Sequence, residues 1–195
     1  MAENEVVAAL TPGVEALTSL GVAYRVGGSV ASSALGVPRS TLDADVVCDI
    51  TEPLVEPLVT RLQTAYYVDA DMIRDAIRRR SSFNVIHLAT MMKVNVFVKK
   101  GDAFSRTSFE RVVRRPLEEG PAAKTFDLTT AEDIVLRKLE WYALGGRVSE
   151  RHWKDAVGVL AVQRDAVDDE YLEKWAKALG VDDLLVQARE EAAST

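Results

Sequence analysis

The chain has 195 residues, of which 30 are acidic and 24 are basic, and it contains one cysteine. This length allows one domain or a modest pair, and a content of 48% hydrophobic and 28% charged residues excludes a disordered or fibrous protein. One cysteine excludes an internal disulfide, and the first residues lack the basic and apolar regions of a secretion signal. We therefore expect a cytoplasmic protein that contacts no membrane.

The net charge of -6 conceals an uneven distribution along the chain. Residues 1–70 and 125–195 are both acidic, whereas residues 71–124 carry 12 basic and 6 acidic side chains. The basic side chains of this middle segment form three clusters, Arg78–Arg80, Lys99–Lys100 and Arg114–Arg115. These clusters predict a phosphate-binding surface if they converge on one face. The alternative is that they are solvated or paired with acidic residues, and the sequence does not decide between the two.

The first 125 residues mix helix and strand signals. Gly21 ends a first helix, Gly27 and Gly28 close a buried strand, and Ser29 is a suitable N-cap for a short helix. Two β-branched runs around residue 90 predict an antiparallel hairpin. The predicted elements are, in chain order, a helix within 3–20, a strand at 22–26, a helix at 29–35, a strand at 44–50, helices at 54–64 and 71–80, and strands at 83–88 and 93–98.

The pattern changes after Pro121 and becomes helical. Thr129 and Glu132 form a capping box that opens a helix ending at Gly145 and Gly146. Three further helices are predicted at 149–162, 168–179 and 181–193. The fold class is therefore α+β, with an α+β domain at 1–125 followed by an all-helical C-terminal domain at 126–195.

Two motifs in the first domain predict a binding site for a phosphate and a cation. Gly27, Gly28 and Ser29 lie at a strand-to-helix turn, where glycines allow a ligand to approach the backbone and the helix N-terminus suits a phosphate. After thirteen intervening residues, Asp43 and Asp45 lie on a predicted strand, and because side chains alternate, both project to the same face. Two adjacent carboxylates suit a hard cation such as Mg²⁺, with nucleotide phosphates as further ligands.

This order of motifs resembles the DNA polymerase β-like nucleotidyltransferase superfamily. The resemblance implies a nucleotidyltransferase-type mixed β-sheet with flanking helices. It also implies that Asp43 and Asp45 bind the catalytic metal ions, Mg²⁺ or Mn²⁺, and that Gly27, Gly28 and Ser29 hold the triphosphate. The implied reaction is attack of a hydroxyl on the α-phosphate of a nucleoside triphosphate, with pyrophosphate as the leaving group.

Asn95 marks a departure from this superfamily. The family usually has a third carboxylate on a later strand, and the corresponding stretch here, residues 93–97, has Asn95 at that place. An amide is a weaker metal ligand than a carboxylate and does not act as a base. Asn95 therefore indicates either a catalytically degenerate nucleotide-binding protein or a branch of the superfamily that obtains its charge elsewhere.

The helical part favours the branch, because residues 132–139 followed by Asp155 resemble the AbiEii/AbiGii group, which includes the MenT-type toxins. This resemblance implies that Lys138 and Asp155 are active-site residues. On its helix Lys138 shares a face with Ile134 and Trp141, which suits a lysine that binds a phosphate. The structural alternatives are that Lys138 extends along the helix edge to water and that Asp155 pairs with Arg151.

The two resemblances together imply a metal-dependent nucleotidyltransferase that acts on tRNA as the toxin of a toxin–antitoxin pair, with a cognate antitoxin as partner. The alternatives are transfer to a small molecule or a protein, and a degenerate nucleotide-binding protein. The predicted residues are, as catalytic groups, Asp43, Asp45, Lys138 and Asp155; as nucleotide ligands, Gly27, Gly28, Ser29 and Lys138; and as metal ligands, Asp43 and Asp45.

Other residues with reactive or aromatic side chains are interpreted as structural. His87 and His152 have no partners at zinc-site spacing, and Cys48 lies in an apolar strand as an inert thiol. The aromatic side chains of the helical part are expected in its core: Trp141, Tyr142, Trp153 and Trp175.

Overall fold

The computed structural model describes residues 4–121 and 123–194. Within these ranges it contains one sheet of seven strands and nine α-helices. The strands are β1 (Tyr24–Gly27), β2 (Asp43–Cys48), β3 (Tyr66–Tyr67), β4 (Ser82–His87), β5 (Lys93–Val98), β6 (Val113–Pro116) and β7 (Thr125–Leu128). The helices are α1 (Glu5–Ser19), α2 (Gly28–Leu35), α3 (Val55–Leu62), α4 (Ala70–Arg79), α5 (Ala103–Glu110), α6 (Ala131–Leu144), α7 (Glu150–Gln163), α8 (Asp169–Leu179) and α9 (Asp182–Ala193).

The sheet is mixed and has the strand order β3-β4-β5-β2-β1-β7-β6. The pairs β2/β5 and β1/β7 are parallel, and the other neighbours are antiparallel. The predicted fold class, with a mixed sheet, flanking helices and a helical C-terminal part, is confirmed. The predicted β4–β5 hairpin is also present. None of the helices in the described ranges has the length and apolar character needed to span a membrane.

The chain divides into two compact units. The first runs up to Val30 and continues through Thr41–Leu128, so it contains all seven strands. The second comprises Ala31–Ser40 and the chain from Thr129 onward. The division therefore falls inside α2, and a ten-residue segment of the N-terminal half belongs to the helical unit.

The sheet of the first unit has one apolar face. Successive side chains of β2 and β5 alternate between buried and half-exposed or exposed positions, so Val46, Val94 and Val96 point to the buried side. They pack around a small apolar cavity together with α1 and α3 side chains such as Leu10 and Leu58. Each of these fully buried aliphatic side chains stabilises the fold by roughly 1.5–3 kcal/mol. The polar residues of β2 and β5 are thereby left on the opposite face.

Tyr66 supports α1 at the point where Pro12 interrupts it. The Gly13 N–H donates to the Tyr66 hydroxyl at 2.8 Å, and this hydroxyl donates to the Ala9 carbonyl at 2.7 Å. A regular α-helix joins this N–H and this carbonyl directly, so the phenol replaces one helical hydrogen bond by two. Burial raises the pKa of Tyr66 to about 12, which keeps the hydroxyl protonated as a donor.

The second unit packs the segment after α2 against α7. The Gln163 side chain donates to the Leu35 carbonyl at 2.7 Å. A Cβ atom at Gly36 would lie 2.8 Å from the Val159 backbone nitrogen, so Gly36 permits this close approach. The contact fixes the segment 36–40 and with it Arg39.

The boundaries of two predicted helices differ from the structure. α6 starts one residue late, because Thr130 rather than Thr129 is the N-cap and accepts from the Asp133 N–H. Glu132 instead accepts a hydrogen bond from the Asp168 N–H at the start of α8. α2 starts at Gly28, so Ser29 lies in its first turn rather than at the cap.

The structure tests the interpretation of the cysteine and the aromatic residues. Cys48 is fully buried, and burial raises the pKa of its thiol to about 12, as expected for an inert core thiol. Trp175 is buried, whereas Tyr142 and Trp153 are half-buried and contact each other, with ring centroids 5.2 Å apart. Trp141 is 53% exposed, so its predicted place in the core is wrong. It belongs to the part of α6 beyond the last buried residue of that helix.

Candidate functional site

Asp43 and Asp45 are the polar residues of β2, and both project from the face of the sheet opposite the apolar core. Both side chains are half-buried, whereas Ala44 and Val46 between and beyond them are buried. We call Asp43 and Asp45 the carboxylate pair. The predicted alternation along this strand therefore brings the two carboxylates together on one face.

Asn95 lies beside the carboxylate pair on the neighbouring parallel strand β5, in register with Asp45. Its amide nitrogen donates to Asp45 Oδ1 at 2.8 Å and lies 3.4 Å from Asp43 Oδ2. The Thr41 hydroxyl donates to the Asp43 carbonyl at 2.9 Å and also lies 3.2 Å from Asp43 Oδ1. These neutral donors offset part of the repulsion between the two carboxylates. Asn95 thus occupies the third position of the constellation with a hydrogen-bond donor where the superfamily has an acid.

The Gly27–Gly28–Ser29 motif lies on the other side of the carboxylate pair. Gly27 ends β1 in register with Asp45, and Gly28 begins α2 with φ +56°. A Cβ atom at Gly28 would lie 1.9 Å from Asp45 Oδ2, so only glycine allows the carboxylate to lie against the start of α2. This start of a helix is also where backbone N–H groups are available to a phosphate.

The donor set of this face suits a hard divalent cation. Carboxylate oxygens are the ligands that Mg²⁺ prefers, and a protein usually supplies only one or two of them when the substrate supplies phosphate oxygens. No group of three or more His, Cys, Asp or Glu side chains in residues 4–121 and 123–194 is arranged to hold a metal ion. Two carboxylates on one face fit a cation that takes its remaining ligands from outside the protein.

Lys138 and Asp155 meet in the second unit. The Lys138 ammonium donates to Asp155 Oδ2 at 2.6 Å, from α6 to α7, and both residues are 7% exposed. Arg39 contacts the same carboxylate with two parallel hydrogen bonds, from Nε to Oδ1 at 2.7 Å and from Nη2 to Oδ2 at 2.9 Å. We call Arg39, Lys138 and Asp155 the charge cluster. Two cations share one buried carboxylate, so the cluster has a net charge of one positive unit.

The surroundings of the charge cluster act on two pKa values. Burial alone would raise the pKa of Asp155, but the hydrogen bonds from Arg39 and Lys138 outweigh it and hold the pKa below its ordinary value of 3.8. Burial lowers the pKa of His152, one helical turn away, and the Lys138 ammonium lowers it further. At neutral pH Asp155 is therefore ionised and His152 is uncharged.

Arg39 and Asn84 are residues that sequence reasoning missed. Arg39 precedes the Asp-x-Asp motif by four residues, and its partner Asp155 is more than a hundred residues away. No local pattern reports such a pairing. Asn84 lies across from Asn95 on β4 and is exposed on the same face as the carboxylate pair. The period-two alternation of β4 could have indicated it, once the register with β5 was known.

The three basic clusters do not converge on the carboxylate pair. Arg80 and Lys99 lie at the ends of β4 and β5 that are in register with Cys48, roughly 13 Å along the strand from Asn95. β6 carries Arg114 and Arg115 and is separated from β2 by two strands. Many of these side chains have acidic partners: Arg78 and Arg79 pair with Asp75, Lys99 with Asp49, and Arg114 with Asp127. Lys93, outside the clusters, is the basic residue in register with Asp43.

No protein-family profile matches the chain, and no curated protein matches it significantly in sequence. Solved structures do match its fold. The solution structure of the antibiotic-resistance factor ANT(2″)-Ia has a TM-score of 0.60 at 10% identity over 95% of this chain and 97% of its own. The crystal structure of ANT(2″)-Ia in complex with adenylyl-2″-tobramycin has a TM-score of 0.59 at 10% identity over 90% and 97%.

A third similar structure is an antigenic nucleotidyltransferase-like protein from Paracoccidioides brasiliensis. Its TM-score is 0.52 at 16% identity, and the match covers 94% of this chain and 92% of that protein. All three matches span nearly the full length of both chains. At these identities the likeness establishes the architecture. The chain therefore has the fold of nucleotidyltransferases.

Proposed function

We propose that the protein is a metal-dependent nucleotidyltransferase that transfers a nucleotide from a nucleoside triphosphate to an acceptor hydroxyl. The observation that carries this proposal is the carboxylate pair on the polar, half-buried face of β2, packed against the start of α2 at a glycine that no other residue can replace without a clash. In this arrangement the start of α2 suits a phosphate, and the adjacent carboxylate pair suits a cation.

Each residue of the carboxylate face receives a role in this proposal. Asp43 and Asp45 hold Mg²⁺ or Mn²⁺, which when bound supplies positive charge to the reacting phosphates. The backbone at Gly27 and Gly28 and the Ser29 hydroxyl bind phosphate oxygens. Asn95 keeps the two carboxylates together and, as an amide, takes no proton from the acceptor.

In the second unit Lys138 binds a phosphate group of the nucleotide through its ammonium, which pairs with Asp155 when no nucleotide is bound. The acceptor oxygen bonds to the α-phosphorus, the bond from this phosphorus to the bridging oxygen breaks, and pyrophosphate leaves with the electron pair. The hydroxyl proton passes to solvent, since Asn95 offers no base at the third position.

The distribution of basic side chains bears on the identity of the acceptor. The resemblance to the AbiEii/AbiGii group implies tRNA as acceptor, a role as toxin, and an antitoxin partner. The scatter of the basic clusters and their acidic partners favours a smaller acceptor instead, because an RNA backbone is bound by convergent positive charge. We therefore propose a small hydroxyl-bearing acceptor first. We keep tRNA as the second candidate because residues 71–124 carry an excess of basic side chains.

Incubation of the purified protein with Mg²⁺, each labelled nucleoside triphosphate and a set of acceptors tests the proposal. The set contains tobramycin, as a small polyhydroxylated amine, and total tRNA. We expect label on one acceptor, and loss of transfer by about 10³-fold or more for Asp45→Ala, since metal binding contributes several kcal/mol to such reactions. Lys138→Ala should also abolish transfer.

Asp49→Ala is the matched control, because Asp49 directly follows β2, is exposed and pairs with Lys99 away from the carboxylate pair. It should leave transfer unchanged. Label on tRNA but not on tobramycin would reverse the order of the two acceptors. Transfer that survives Asp45→Ala would contradict the site, and no transfer to any acceptor would favour a nucleotide-binding protein without activity.

A further inference from the structure

Arg39 and Lys138 contribute unequally to the neutralisation of Asp155. Arg39 contacts both carboxylate oxygens, at 2.7 Å and 2.9 Å, whereas Lys138 contacts only Oδ2. A bidentate guanidinium pair satisfies the charge and the geometry of a carboxylate together. With Arg39 in place, Asp155 therefore stays paired when Lys138 moves away. Without Arg39, Lys138 is the one cation of the cluster that still pairs with the buried Asp155. Moving Lys138 away from Asp155 then leaves a buried charge without a partner, which is energetically costly.

Lys138 has capacity for another acceptor. Its ammonium carries three N–H groups, and Asp155 Oδ2 is the acceptor that contacts it among the residues that the structure describes. The stem of Lys138 is buried. The pKa of His152 beside the cluster is lowered, so this side chain adds no positive charge there at neutral pH. A buried ammonium with this surplus of donors and charge suits an anion.

We propose that Arg39 is a positioning residue of the nucleotidyl-transfer reaction: it neutralises Asp155 and thereby releases Lys138 to bind the triphosphate. This inference rests on the proposed function. The competing role for Arg39 is direct contact with the nucleotide, since its side chain is 28% exposed. The two roles differ in what happens when Asp155 loses its charge. If Arg39 acts through Asp155, the loss of Arg39 should not weaken nucleotide binding once Asp155 is replaced by the neutral Asn. If Arg39 binds phosphate directly, the loss of Arg39 should weaken nucleotide binding in either background.

Equilibrium dialysis with labelled nucleoside triphosphate and Mg²⁺, without any acceptor, tests this inference on the full chain. Arg39→Ala should weaken nucleotide binding by about tenfold or more, as Lys138→Ala does, because Lys138 is then held by Asp155. The double variant R39A/K138A should be no weaker than either single variant, since both act on one interaction. Arg39→Lys keeps a cation beside Asp155 and should bind within about threefold of the wild type.

The decisive variant is R39A/D155N, which should recover binding to near the wild-type level because no carboxylate holds Lys138. Binding that stays as weak as in Arg39→Ala would overturn the inference and make Arg39 a direct ligand. Unchanged binding by Arg39→Ala alone would also overturn it. Asp155→Asn alone provides a second measure: it should bind at least as tightly as the wild type, and a loss equal to that of Lys138→Ala contradicts the inference.

Arg151→Ala is the matched control, because Arg151 lies one turn before Asp155 on α7 and is exposed. It should not change nucleotide binding. Thermal unfolding of each variant shows that the fold is retained, and Arg39→Ala is expected to fold since Lys138 still pairs with Asp155. A wild-type protein that binds no nucleotide would refute the proposed function itself, and the inference with it.

Discussion

The carboxylate pair of the first unit and the charge cluster of the second unit each contain two like charges, and these charges are compensated differently. On β2, two acids accept from the neutral Asn95 amide, so this contact leaves both negative charges in place. Around Asp155, two bases share one acid, so a net positive charge remains. The first region is half-buried, whereas Lys138 and Asp155 are almost fully buried.

The difference teaches what each region is suited to bind. Two carboxylates side by side suit a cation, and a buried cluster with more cations than carboxylates suits an anion. A metal–nucleotide complex supplies both charges. The comparison therefore predicts opposite responses: removing an acid should relieve the first region and harm the second.

Asp155→Asn tests the second region and has the largest expected effect on stability. It leaves Arg39 and Lys138 beside a neutral amide, so the free energy of unfolding should fall by about 3–5 kcal/mol. Lys138→Met keeps the apolar stem and leaves Asp155 paired with Arg39, and it should change this energy by no more than about 1 kcal/mol. Urea unfolding of the two variants measures both values. Equal losses would show that Arg39 alone does not keep Asp155 paired in Lys138→Met.

The direction of the Asp155 pKa shift predicts how the stability difference between wild type and Asp155→Asn depends on pH. The pKa of Asp155 is lower in the folded protein than its ordinary value of 3.8, so its stabilising contribution is complete above that value. The contribution is lost as the pH falls through the folded pKa. The stability difference between wild type and Asp155→Asn should therefore be constant at neutral pH and shrink below about pH 4. A difference that shrinks between pH 8 and pH 6 would identify another titrating group.

Gly28→Ala tests the packing that brings the first region together. The added Cβ would lie 1.9 Å from Asp45 Oδ2, and the backbone at φ +56° disfavours alanine, so we expect a loss of about 2–3 kcal/mol and no nucleotide transfer. Gly21→Ala is the control, since Gly21 has φ +69° with no atom within 4 Å of the added Cβ. It should cost about 1 kcal/mol, which is the backbone strain alone. Equal losses in urea unfolding would show that the contact with Asp45 does not matter.

Local patterns in the sequence predicted the fold where they were sufficient. The alternation of β2 placed Asp43 and Asp45 on one face, and the two β-branched runs predicted the β4–β5 hairpin. Capping residues located the helices of the C-terminal part, with Ser149 and Asp168 at the caps of α7 and α8. These signals are local, because caps and period-two alternation arise within a few residues of one another.

Features that depend on distant residues were not predicted. β6 and β7 are four-residue strands that gain their stability from pairing with each other and with β1, and their own sequences carry little strand signal. Thr130 is the N-cap of α6 in place of the predicted Thr129, and Glu132 accepts a hydrogen bond from the distant Asp168 N–H. Spacing alone also allowed a pair between Asp155 and the neighbouring Arg151, but the structure pairs it with Arg39 and Lys138.

Asn95→Asp tests the first region from the opposite side and has the smallest expected effect. It replaces a donor to both carboxylates with a third acid, so without divalent cations the free energy of unfolding should fall by about 1–2 kcal/mol. Asn84→Asp adds the same charge on the same face one strand further from Asp45, and it should cost less. Thermal unfolding with and without Mg²⁺ tells whether the loss in Asn95→Asp comes from charge repulsion or from altered packing.

If the loss comes from repulsion among three carboxylates, Mg²⁺ should stabilise Asn95→Asp more than the wild type. A third carboxylate tightens cation binding, and a cation that binds the folded state raises its stability. Destabilisation that Mg²⁺ does not reverse would mean that Asn95 matters for packing rather than for the charge of this face.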